Sequence, residues 1–247
     1  MIFAVGDVHG DFQRFSRKHF PEQRQMGRDD YMIVTGDLGG VWAGEQADSN
    51  RLDWLEAKHF TTLFVDGNHE NFELLNAYPE QIWYGGRVHQ VRPHVLHLMR
   101  GQRYDIEGHS FFTMGGAASH DIEDGILDPA DPDFERQYWL MRRMNARFRV
   151  LGHSWWPEEL PSDEEYTAAL KTLEQAGWKV DYVITHCAPT SIVQQINRHY
   201  QPDVLTDFLE LVNNRLEFGC WLFGHYHDNR TIDPKHILLW ENIIQLL

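Results

Sequence analysis

Five times along this chain a short apolar run stops at a turn that carries side chains able to ligate a metal. Residues 2–5 lead into Gly6-Asp7-Val8-His9-Gly10-Asp11, residues 31–35 into Gly36-Asp37, and residues 62–65 towards Gly67-Asn68-His69-Glu70. Residues 182–185 end at His186, and residues 221–223 end at Gly224-His225-Tyr226-His227. Apolar runs this short, bounded by glycine turns, read as buried strands. Segments with helical spacing separate the first three: Phe12, Phe15 and His19, then Leu52, Leu55 and His59. Strand, helix, strand, helix predicts an α/β layered fold with crossover connections. In such folds the carboxyl ends of neighbouring strands open on one crevice, so the five turns are expected to face each other.

Further along, the spacing of Val95, His97 and Met99, then Ile106, then residues 111–113, predicts strands joined by short turns. Residues 121–161 read as an irregular insertion containing a helix, rich first in Asp and Pro and then in Arg and aromatics. Ser162 with Glu165 forms a capping box that opens a helix to about residue 176, closed by Gly177, and another helix is expected over 203–214. No repeat or linker divides the chain, so residues 1–247 are expected to form a single domain.

Charge narrows the function. With 22 basic and 37 acidic residues the formal charge is −15, which repels polyanions and disfavours a grip on long nucleic acid. No window approaches the roughly 18 apolar residues of a membrane span. Two cysteines, Cys187 and Cys220, are too few for a cysteine-rich zinc cluster, and no signal peptide precedes the first run, so a reducing, cytoplasmic setting is expected. The 15 histidines stand out, because neutral imidazole is a frequent transition-metal ligand.

Asp7 and His9, two apart on one glycine-flanked turn, can aim at the same point. With Asp37, Asn68, His186, His225 and His227 they give seven carboxylate, amide and imidazole ligands without a thiolate. Such a set suits Mn, Fe, Zn or Co. With Asp37 bridging, it can serve two ions about 3.5 to 4 Å apart, the spacing used for in-line attack on phosphorus.

In this order, GD-x-H-G, GD, GNH-E, a lone His and GH-x-H, the motifs resemble those of the calcineurin-like metallophosphoesterases from Asp7 to His227. The resemblance implies a sandwich of two mixed β-sheets flanked by helices. It implies two divalent metal ions, with Mn2+ the first expectation and Fe, Zn or Co the alternatives. Asp7, His9, Asp37 and His227 would hold one ion, and Asp37, Asn68, His186 and His225 the other. A hydroxide bridging the ions would attack the phosphoester, and His69 would stabilise or protonate the leaving oxygen.

The implied activity is that of a phosphatase on a small phosphomonoester. The alternatives are a phosphodiesterase at the same site and a metal-holding scaffold without catalysis. Where many phosphoprotein phosphatases of the family carry Asp-Arg-Gly, this chain has Leu38-Gly39-Gly40, so His69 lacks its usual carboxylate partner; Asp121 is the candidate replacement. Met114-Gly115-Gly116-Ala117, Ser119, Asp121 and Trp155-Trp156-Pro157-Glu158-Glu159 resemble a prokaryotic and phage-like branch. The arginines over 136–149 read as a solvated helix face, Trp155 and Trp156 as core or lid packing, and His89, His94 and His97 as strand or surface residues.

Overall fold

A computed structural model describes residues 1–247, the side chain of Glu45 excepted. The first three apolar runs form parallel strands, Ile2–Val5, Tyr31–Val34 and Thr61–Phe64, paired in register so that Val5, Val34 and Phe64 lie abreast. They are the centre of a seven-stranded sheet. It is extended on one side by Val95–Leu98 and the hairpin Glu80–Trp83 with Gly86–Arg92, and on the other by Ile244–Gln245, antiparallel to the first strand. Tyr182–Thr185 and Cys220–Phe223 are parallel neighbours in a six-stranded sheet with His109–Met114, Gln102–Ile106, His236–Leu238 and Arg230–Thr231.

Strand periodicity explains how the layers stack. Successive residues point to opposite faces of a sheet, and here both faces are apolar. Ile2, Ala4, Ile33 and Leu63 of the first sheet pack with Tyr104, Ile106, Phe111, Ile184 and Leu222 of the second. Phe3, Val5, Met32, Val34 and Phe64 point the other way, onto Phe12, Phe15, Leu52, Leu55 and Leu75. On the far side, Phe112, Val183, Trp221 and Phe223 meet Ala169, Leu173, Leu205, Leu209 and Val212 from the helices Asp163–Gln175 and Val204–Arg215. The result is the sandwich of two mixed sheets flanked by helices that the motif order implies.

Several local expectations change. The segment around Phe12, Phe15 and His19 is no α-helix but two short 3-10 turns, Phe12–Phe15 and Pro21–Gln25. Pro21 supplies no N–H to continue a helix, and Ser16 is extended, so the stretch breaks after one turn although Phe12 and Phe15 are buried as their spacing predicts. His89 and His97 are strand residues but not surface ones; both are buried, with their Nδ1 atoms 3.0 Å apart. Residues 121–161 hold a two-stranded parallel pair, Ile126–Leu127 with Arg149–Val150, and the helix Phe134–Met144, which buries none of its residues. Trp156 is buried and meets Trp42 edge to face at 5.5 Å, as packing residues do. Among the described residues no helix is long and apolar enough to cross a membrane.

Candidate metal centre

The turns after the parallel strands converge because glycines let them. A Cβ on Gly67 would lie 2.0 Å from Asp37 Oδ1, and one on Gly224 would lie 2.1 Å from Asp7 Oδ1. Neither carboxylate has room unless its neighbouring turn lacks a side chain. His9, Asp37, His225 and His227, four of the eight non-glycine residues with positive φ, are all candidate site residues. Left-handed backbone is costly for such residues, and its concentration here marks a centre whose surroundings hold it in place.

Two groups of side chains share Asp7: ligand atoms of Asp7, His9 and His227 lie within 4.8 Å of one another, as do those of Asp7, Asp37 and His186. His227 Nε2 is 3.0 Å from Asp7 Oδ2 and 3.0 Å from His9 Nε2. Asp37 Oδ2 stands between the groups, 3.8 Å from His9 Nε2 and 3.4 Å from His186 Nε2, while Asp37 Oδ1 accepts from the backbone N–H of His69. Asn68 Oδ1 is 3.3 Å from His186 Nε2, and the Asn68 amide nitrogen donates to Ser119 Oγ at 3.2 Å, which fixes the way its oxygen faces. Ser119 is in turn gripped by the buried Glu159 through its N–H and its hydroxyl.

The donor set itself calls for a cation. His186 Nδ1 donates to the Thr35 carbonyl at 2.8 Å, so in the neutral ring Nε2 carries a lone pair, and that lone pair faces the acceptor oxygens of Asp37 and Asn68. Burial opposes the charge of His186, but Asp37 and Asp7 outweigh it and push the imidazole up to about 10, which shows how strongly the surroundings favour a positive charge at that position. Burial likewise works against the charge on Asp37, yet His186, His69 and His9 hold its carboxyl well below the ordinary range. His9 and His225 are driven by burial towards their neutral, ligating forms.

A sequence profile of the calcineurin-like phosphoesterases matches residues 1–229. The chain belongs to that family. This phosphoesterase therefore comes from a group whose chemistry is metal-dependent phosphoester hydrolysis and which generally binds two divalent ions. Comparison with curated proteins gives no match.

The other expected residues surround these two groups. The His225 backbone N–H donates to both Asp7 oxygens and its ring lies 5.1 Å from that of His186, but its Nε2 meets His120 Nε2 at 2.8 Å. His69 stands at the rim, its ring 5.4 Å from that of His9, with burial lowering its pKa despite Asp37. Asp121 does not orient it: the Asp121 carboxylate is taken by Arg149, whose Nε donates at 3.0 Å. Sequence reasoning missed His120 altogether and the part Glu70 plays. Glu70 is buried, accepts the Leu38 N–H at 3.0 Å, and is pushed well above the usual carboxyl range by burial and by Asp37. Its place directly after Asn68-His69 was the available signal.

Proposed function

We propose that this phosphoesterase is a dinuclear-metal phosphatase acting on a small phosphomonoester. In this reading Asp7, His9, Asp37 and His227 hold one divalent ion, Asp37, Asn68, His186 and His225 hold the second, and Asp37 is the shared ligand. The observation that carries it is the meeting of His186 Nε2, Asp37 Oδ2 and Asn68 Oδ1, electron-pair donors with no hydrogen atom to share in the neutral state. A bound ion pair would supply Lewis acidity towards phosphoryl oxygens and would lower the pKa of water towards neutrality. Mn2+ is the first choice, with Fe, Zn or Co as alternatives, because the set mixes carboxylate, amide and imidazole.

The chain's own residues do the rest. With Nε2 against His120, His225 would offer its other ring nitrogen, Nδ1, to the second ion. His69, with its ring 5.4 Å from that of His9, would stabilise or protonate the leaving oxygen, and the negative charge of an incoming phosphate would favour its protonated form. Two bound divalent ions would bring cationic charge to this one place, which makes an acidic surface and an anionic substrate compatible.

The test is hydrolysis of 4-nitrophenyl phosphate and of bis(4-nitrophenyl) phosphate after loading with Mn, Fe, Co, Zn or Mg in turn. Metal-dependent turnover that favours the monoester is expected. Faster cleavage of the diester would make the protein a phosphodiesterase, full activity in chelator would remove the metal from the mechanism, and metal binding without turnover would make it a scaffold.

A further inference from the structure

Beside the centre lies an open groove of about 730 Å³, lined by Arg142, Arg147 and Arg149 and by the half-buried rings of Phe134, Tyr138 and Phe148. It runs against the grain of the molecule: in a chain of charge −15, the stretch from Phe134 to Ser154 carries five arginines and one glutamate. The groove is tied to the centre by three consecutive residues. Ser119 holds the Asn68 amide, His120 meets His225, and Asp121 holds Arg149. Asp121, which lines the groove, follows directly on His120, whose ring meets that of His225, so the groove lies next to the centre.

The three arginines are not equally engaged. Arg149 is neutralised by Asp121, and Arg147 pairs at 3.0 Å with Glu123 in solvent, where such a pair is weak. Arg142 makes no ion pair among the described residues. A guanidinium with its fork of donors free, a second one lightly held, and aromatic rings lining the same groove make a site for a phosphate attached to a flat or apolar body.

We infer that the groove receives the leaving group and that this leaving group carries a second phosphate, so the substrate class is a bisphosphorylated small molecule. This rests on the phosphomonoesterase reading above. Hydrolysis of such a substrate consumes one water, breaks one P–O bond, and releases inorganic phosphate and an alcohol that keeps the other phosphate.

Adenosine 3′,5′-bisphosphate and adenosine 5′-monophosphate differ by that one group, and they serve as probes with the Mn-loaded protein and an Arg142→Ala/Arg147→Ala variant. The expected result is a kcat/KM preference for the bisphosphate of about tenfold or more, expressed mainly in KM, that collapses in the variant. Calorimetry on the metal-free protein should show the bisphosphate binding more tightly than the monophosphate, with the difference lost in the variant. Equal kcat/KM for the two nucleotides, or a preference that survives the double substitution, would overturn the inference. If no ester at all is hydrolysed, the phosphatase reading fails, and the metal-free binding difference alone decides whether the groove is a phosphate site.

Discussion

Gly67 shows how closely single residues are constrained here. Because a Cβ there would fall 2.0 Å from Asp37 Oδ1, Gly67→Ala should displace the Asp37 carboxylate. The expected outcome is loss of metal binding together with a stability loss of about 2 kcal/mol or more, read by calorimetry and urea unfolding. Asp37→Asn should abolish metal-dependent hydrolysis with the circular dichroism spectrum unchanged, whereas His69→Ala should keep the metal and lower kcat, by about 10²- to 10⁴-fold. Asp66 gives a pH prediction. It is buried, with Oδ1 3.0 Å from His97 Nε2 and Oδ2 2.8 Å from Arg100 Nε; burial opposes its charge, but Arg100 and His97 hold the carboxyl well below the usual range. A depressed folded pKa adds stability that is complete above the unfolded pKa of about 3.9 and is lost as pH falls from there towards the folded value. Asp66→Asn should therefore cost about 1 to 3 kcal/mol at pH 7, because Arg100 loses its buried carboxylate and keeps only the more exposed Glu165 at 3.2 Å and the Glu158 carbonyl. It should also flatten the fall of stability below about pH 4, measured by unfolding across pH.

Elements with their own end signals were legible in the sequence, and those made by distant partners were not. Ser162 and Glu165 announced the helix Asp163–Gln175, and the capping box forms with both of its hydrogen bonds. Ser162→Ala should cost about 1 kcal/mol and lower Tm by about 2 to 4 °C in a calorimetric scan. The strands that precede the site turns were equally readable, since their apolar runs are uninterrupted and fully buried. By contrast, Ile244–Gln245 is a strand only because Phe3 and Ala4 pair with it from the opposite end of the chain, and nothing local marks it. Glu80–Trp83 is half exposed, so no burial pattern marked it. The candidate ligand residues themselves were visible through their glycine turns. Ser119 and Glu159 stood out only as members of a branch motif; their support of Asn68 was not readable, because a polar partner 40 or 51 positions away leaves no trace in spacing.

For the whole molecule, the centre is where both sheets meet: Asp7, Asp37 and Asn68 come from one and His186, His225 and His227 from the other. An ion bound there fastens the two layers together. Mn2+ at a hundredfold excess over Kd should raise the unfolding midpoint, with a stability gain of about 2.7 kcal/mol for each site filled, and chelator should reverse it. The same titration on Asp37→Asn should show most of that gain gone. The left-handed backbone at His9, Asp37, His225 and His227 sets where this affinity resides. A free peptide carrying Gly224-His225-Tyr226-His227 would seldom visit those angles, and would grasp cations no better than any loose pair of imidazoles. Recognition of the ion is thus a property of the pleated layers that force the bends, and grafting the short motifs onto another scaffold would transfer the letters without the grip.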